Sequence, residues 1–202
     1  DWSSDVCSSD LIPNLHIQAG QRVAVSGEGA CGKSMFLQTL AGLRSPHSGL
    51  AEIGGIDSRD VNRFADGSMV GIACEPEVFH GTLQENVSLN RLCVHEHELR
   101  DALQMVELWD EVLALPQGLD TMLQTEGYPL SQTQAARLML ARSIVARPRL
   151  LLIDGTLDSL PPRLREKIWN TLRSNNQPWT IIVVTHDPAI SSTCDHRIEL
   201  AH

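Results

Sequence analysis

Residues Gly27-Glu28-Gly29-Ala30-Cys31-Gly32-Lys33-Ser34 combine types and spacing suited to holding phosphate. The pattern is a glycine, four residues, then Gly-Lys-Ser, and each fixed position has a physical task. Glycine accepts backbone dihedrals that other residues resist, so successive N–H groups turn inward and wrap an anion where a helix begins. Lys33 is then expected to reach the β- and γ-phosphates of a nucleotide, and the Ser34 hydroxyl to ligate Mg²⁺. Cys31 sits in the loop as a tolerated small side chain, with no neighbour that argues for redox chemistry.

Such a loop has to lie between a strand and a helix. Arg22 to Ser26 is apolar-rich and predicts a buried strand, and Met35 to Leu40 predicts a helix. Upstream, Leu15-His16-Ile17 alternates like a strand and Ala19-Gly20 turns, so a small antiparallel sheet is expected to lead into the core. Downstream, Leu50 to Ile53 and Val70 to Cys74 read as short strands, the first followed by a tight turn at Gly54-Gly55. Thr82-Leu83-Gln84-Glu85 and Ser131-Gln132-Thr133-Gln134 are capping boxes. The first opens a broken helical region from Glu85 to Leu115, burying Leu99, Leu103 and Val106; the second opens a helix with a stripe of Leu138, Ala141 and Val145. Leu150 to Ile153 runs without polar interruption into Asp154, as strands buried on both faces do. A helix from Pro161-Pro162, burying Leu164, Ile168 and Leu172, leads to a second apolar strand, Thr180 to Val184, which delivers Thr185-His186-Asp187 to the same edge. The alternation predicts an α/β fold with right-handed parallel crossovers and ligands at the strands' carboxyl ends.

A length of 202 residues allows one α/β domain or two small ones, and a sizeable core. Its formal charge of −9 argues against a dedicated nucleic-acid surface, so no nucleic-acid partner is expected. No apolar run approaches the ~18 residues of a membrane span. The five cysteines, Cys7, Cys31, Cys74, Cys93 and Cys194, are odd in number and irregular in spacing, which suits a reduced compartment. Cys93, His95 and His97 lack the paired spacing of a zinc site and read as a polar loop before a helix. Residues 1–10, DWSSDVCSSD, read as a tail or a cloning or sequencing scar, leaving one domain over residues 11–202.

Beyond the phosphate loop stand Leu152-Ile153-Asp154, His186 near the carboxyl end, and Leu130-Ser131-Gln132-Thr133-Gln134 ahead of a helix rich in Arg and Ala. Added to these are VFHGTLQENV (Val78 to Val87) and LPQGLDTMLQTEGYPLS (Leu115 to Ser131). Together, from Leu11 to Leu200, they resemble the nucleotide-binding domain of the ATP-binding cassette (ABC) family, and the last two segments are most similar to exporter-type cassettes. The resemblance implies a P-loop NTPase core with a parallel sheet, a small N-terminal antiparallel β part and an inserted helical subdomain over about residues 82–145. By the same resemblance Asp154 holds Mg²⁺ through water and His186 is the switch histidine that contacts the γ-phosphate. Ser131, Gln132, Thr133 and Gln134 stand at the family signature, LSGGQ, which caps the γ-phosphate bound to an opposing subunit.

Where the sequence departs from the family bears on activity. The family places a Glu after the Mg²⁺-binding Asp to polarise water, and here that position is Gly155. A Gln that senses Mg²⁺ and the transmembrane partner falls at Cys74, beside Glu75. Gln132 and Thr133 replace the signature glycines, and Asp158-Ser159-Leu160-Pro161 replaces Ser-Ala-Leu-Asp, so that loop's acid is displaced or missing. The adenine-stacking aromatic would fall near Trp2, and exporters continue past Leu200, so a chain shortened at both ends is expected. The resemblance therefore implies an ATP- and Mg²⁺-binding subunit of an exporter at the cytoplasmic face of a membrane. It would pair with a second nucleotide-binding domain and a transmembrane exporter domain, and hydrolyse weakly at its own site. The alternatives are a regulatory cassette that binds but scarcely hydrolyses ATP, and a non-transport ATPase of the same family.

Overall fold

The computed structural model describes residues 15–29, 31–63, 69–125 and 127–200. In chain order the elements begin with strand β1 (Arg22–Ser26), helix α1 (Lys33–Leu40), the short strands β2 (Glu52–Ile53) and β3 (Ile56–Asp57), and β4 (Val70–Ala73). Then come β5 (Gly81–Thr82), α2 (Leu83–Ser88), α3 (Glu96–Met105), α4 (Trp109–Leu113) and β6 (Met122–Leu123). The last are α5 (Gln132–Ile144), β7 (Leu150–Asp154), α6 (Pro162–Leu172), β8 (Thr180–Val184), α7 (Pro188–Ser191) and β9 (His196–Glu199).

Five of the strands make one sheet, in the order β4, β7, β8, β1, β9, and every neighbouring pair is parallel. Because successive side chains of a strand point to opposite faces, the apolar runs divide between two cores. Ala24, Leu151, Ile153, Ile181 and Val183 face the core that holds α3, α5 and α6; Val23, Val25, Leu150, Leu152, Ile182 and Val184 face Leu37 and Ala41 around α1. A run such as Leu150 to Ile153 thus needs no polar position, as it is covered on both sides.

Both capping boxes form. Thr82 Oγ1 accepts from the Glu85 N–H at 3.1 Å while Glu85 Oε2 accepts from the Thr82 N–H at 2.8 Å. Ser131 Oγ accepts from the Gln134 N–H at 3.3 Å and Gln134 Oε1 from the Ser131 N–H at 2.7 Å. The helical region after Thr82 is three helices, with residues of positive φ at Leu89 and Glu107 between them. Helix α5 lies directly on β4: a Cβ on Gly71 would come within 1.9 Å of the Ser143 carbonyl oxygen, so only glycine allows this approach. Asn86, fully buried, joins strand and helix ends by bonding the Phe79 N–H and carbonyl and the Thr82 carbonyl.

Leu15 to Ile17 is not a strand, which corrects the sequence expectation; the segment leads instead into a turn in which the Gln21 N–H donates to the Gln18 carbonyl. Three alternating residues carry too little ladder to hold a strand without a partner. The small antiparallel pairs lie elsewhere, as β2 with β3 after the phosphate-loop helix and β5 with β6 beside α2. The strand expected from Leu50 contracts to Glu52–Ile53.

Candidate functional site at the carboxyl edge of the sheet

β1 ends at Ser26, and the phosphate loop bridges it to α1, whose N-cap is Gly32 with φ 82°. Lys33 folds back over the loop, its Nζ donating to the Gly27 carbonyl at 2.7 Å and the Gly29 carbonyl at 3.1 Å, and lying 3.4 Å from Cys31 Sγ. A Cβ on Gly27 would lie 2.4 Å from Cys31 Sγ and 2.6 Å from the Leu200 carbonyl oxygen, so the loop closes to a radius that a side chain would prevent. Glu28, Gly29 and Ser34 are exposed, while Ala30 lies outside the described residues, as does Trp2.

The sheet order brings further chemistry to this edge. β8 lies between β1 and β7, with Val184 opposite Asp154, so the residues just past both strands meet near the loop. Asp154 is half-buried at the end of β7. Gly155 donates its N–H to the Val184 carbonyl at 3.2 Å and adopts φ 66°, with nothing within 4 Å of where a Cβ would stand. Cys74, just past β4, is tied to the same loop through its carbonyl, which accepts from Thr156 Oγ1 at 3.2 Å. Burial pushes the Cys74 thiol up, and the nearby carboxylates Glu77 and Asp154 add to the shift.

His186, just past β8, is exposed, but one side of its ring is held. Asp158 Oδ2 accepts from the His186 backbone N–H at 2.8 Å and lies 3.2 Å from its Nδ1, while Asp158 Oδ1 accepts from Thr185 Oγ1 at 2.5 Å. Asp158, in the loop whose family acid is displaced or missing, is therefore bound to the histidine. The sequence placed Thr185 at this edge but did not show Asp158 as the partner of Thr185 and His186. The signal was the strand pairing: an acid four residues past Asp154 must meet the residues just beyond Val184.

The structure thus gathers Gly27 to Gly29, Cys31 to Ser34, Cys74, Asp154, Gly155 and His186 at one sheet edge. Ser131, Gln132, Thr133 and Gln134 stand apart from it at the start of α5. There Gln134 Nε2 donates to Glu111 of α4 at 2.7 Å, and the buried Arg137 pairs with the same carboxylate at 2.8 Å. Arg142, further along α5, donates to the Asn86 and Glu77 carbonyls and lies over the Phe79 ring.

A parallel sheet with a glycine-rich loop between β1 and α1, and an acid at the end of a neighbouring strand, defines the P-loop class of nucleotide-binding α/β domains. Within that class, the sequence pattern of the ABC transporter family matches residues 12–157, and the chain belongs to that family. It is 30% identical over 86% of its length to multidrug resistance protein pgp-1 of Caenorhabditis elegans, of which it covers 13%. It is 31% identical over 92% of its length to the uncharacterized ABC transporter ATP-binding protein YwjA of Bacillus subtilis, covering 32% of that protein. The structure of a bacterial Atm1-family ABC exporter with ATP bound superposes with a TM-score of 0.79 at 27% identity, over 90% of this chain and 32% of that one. The chain is similar to the nucleotide-binding domains of exporters, and it spans less than a third of the length of these relatives. Among the described residues no helix is long and apolar enough to cross a membrane.

Proposed function

We propose that this chain is the ATP-binding cassette of an exporter, binding Mg·ATP and hydrolysing it slowly at its own site to drive a membrane partner. The observation that carries the reading is the phosphate loop, closed by Gly27 at the end of β1 with the Lys33 ammonium held on its carbonyls. That arrangement fits a polyphosphate, since the ammonium needs only to leave two neutral carbonyls for a stronger anionic acceptor. Ser34 and Asp154 offer the hard oxygen donors that Mg²⁺ takes. When bound, the metal neutralises charge on the β- and γ-phosphate oxygens. Lys33 would add fixed positive charge to the same oxygens, and His186, just past β8, is the residue that would contact the terminal phosphate.

Slow turnover follows from Gly155, which has no carboxylate with which to polarise water, and from Cys74, which lacks the amide the family uses there. Gln132 and Thr133 add side chains where an opposing subunit's phosphate would need close backbone approach. The chain works at the cytoplasmic face of a membrane, head to tail with a second nucleotide-binding domain and beneath a transmembrane exporter domain. The same departures favour a second reading, a regulatory cassette that binds but scarcely turns over ATP. A non-transport ATPase is disfavoured by the exporter-like segments Val78 to Val87 and Leu115 to Ser131.

Lys33→Ala tests the binding claim, because it removes the loop's own cation from the β- and γ-phosphates. Titration calorimetry is expected to show most of the Mg·ATP affinity lost; equal affinity in variant and parent overturns the assignment.

A further inference from the structure

After β7 the chain turns at Gly155, buries Thr156 and Leu157, and returns Asp158, whose N–H donates to the Gly155 carbonyl at 2.9 Å. The Asp158 carboxylate is then fully engaged by residues 185 and 186. Thr185 Oγ1–H holds Oδ1, the His186 N–H holds Oδ2, and the ring's Nδ1 approaches Oδ2 at 3.2 Å. The Asp158 side chain is 22% exposed and that of His186 79%, so the ring is anchored on its inner nitrogen and open on the outer one. An ionised carboxylate only accepts hydrogen bonds, so Nδ1 has to carry the proton in this contact, and in the neutral ring Nε2 is left as an acceptor.

We propose that Asp158 is a positioning residue that fixes His186 in the Nδ1–H tautomer, so that its Nε2 takes the proton of the attacking water, a task residue 155 has no side chain to perform. In that step a water O–H bond breaks and its proton moves to Nε2. The water oxygen bonds the γ-phosphorus as the bridging P–O bond breaks, and that bond's electron pair leaves on the ADP oxygen. The imidazolium formed is stabilised by Asp158 and returns its proton to the released phosphate. The inference rests on the nucleotide-site reading above.

The first readout is independent of nucleotide: long-range ¹H–¹⁵N correlation on ¹⁵N-histidine-labelled chain near pH 8.5, about two units above an ordinary imidazole. His186 is picked out from the eight histidines by His186→Ala. The parent is expected to show the Nδ1–H form, and Asp158→Asn, whose amide can donate to Nδ1, to move the ring toward Nε2–H. A parent ring in the Nε2–H form, or no change in the variant, overturns the proposal. The second readout is steady-state phosphate release by parent, Asp158→Asn, His186→Ala and the double variant. Asp158→Asn is expected to lower kcat about 10-fold or more at unchanged KM, and to add nothing in the His186→Ala background. An equal loss in both backgrounds means Asp158 does not act through His186. Should Asp158→Asn not fold, Asp158→Ser, which removes the carboxylate that accepts from Nδ1–H, is expected to release the ring toward the Nε2–H form, and no shift overturns the idea. Calorimetry separates the two claims: a parent that fails to bind Mg·ATP sinks the nucleotide reading, while the tautomer still decides Asp158.

Discussion

Gly155 holds a left-handed backbone, φ 66°, in open space, so what separates it from a catalytic glutamate is backbone strain as well as a missing side chain. Gly155→Glu is expected to lower stability by about 1–2 kcal/mol, the usual cost of that conformation for an L residue. It is nevertheless expected to raise phosphate release, by less than the ~10²–10⁴-fold of a well-placed base. Restoring glycine at Gln132 and Thr133 as well should give more than the separate gains combined, since residues acting as one catalytic unit are non-additive. If the parent already turns over at ~1–10³ s⁻¹ and Gly155→Glu leaves that unchanged, the site is not impaired. Cys194 carries a pH prediction of its own. Burial, with Asp195 beside it, pushes its thiol from 9.0 up to about 11, so the native state keeps a proton that the unfolded chain releases earlier. Stability is therefore expected to fall as pH rises from 9.0 toward 11, with a slope of at most about one proton, and to lose that slope in Cys194→Ser. Urea midpoints measured across this range check it.

Between elements, the contact that sets how α5 lies on the sheet is Gly71 against the Ser143 carbonyl. Gly71→Ala would drive a methyl into backbone that α5 cannot yield without moving its whole packed face, and is expected to cost about 2–3 kcal/mol. A change under about 0.5 kcal/mol in urea denaturation would mean the helix slides freely. Elements whose signals are local were legible from sequence: the boxes at Thr82 and Ser131 close over three residues, and the apolar runs 150–153 and 180–184 need no partner to be recognised. Leu15 to Ile17 misled because alternation over three residues occurs as readily in a turn-bound segment as in a strand. The demand at Gly71 was invisible, since it comes from a helix more than 60 residues away in sequence.

For the whole domain, binding and stability are linked by mass action. At ~100 times its Kd, Mg·ATP adds about 2.7 kcal/mol, and a domain of this size gains roughly 2–4 °C per kcal/mol. A rise of roughly 5–10 °C in melting temperature is therefore expected, and no shift at millimolar nucleotide would show that the nucleotide site is incomplete in this chain. Lys33→Ala should remove the rise without lowering the baseline, because its present bonds are to half-exposed loop carbonyls outside both cores.

The amino-acid sequence by itself determined the phosphate loop, the strand and helix beside it, the two capped helices and the two-sided apolar strands, because each is written in residues within a few positions of one another. It also determined that Asp154 ends one strand, that His186 follows another, and that residue 155 brings no carboxylate. Only the tertiary structure decided that Asp158 belongs to His186, that Cys74 joins the edge through Thr156, and that Lys33 lies inward on Gly27 and Gly29. The Asp158 to His186 contact spans 28 positions and exists because β7 and β8 pair with Asp154 opposite Val184. A register shift of one residue would turn every side chain of the strand to the other face, and the two cores packed on the sheet are what forbid it.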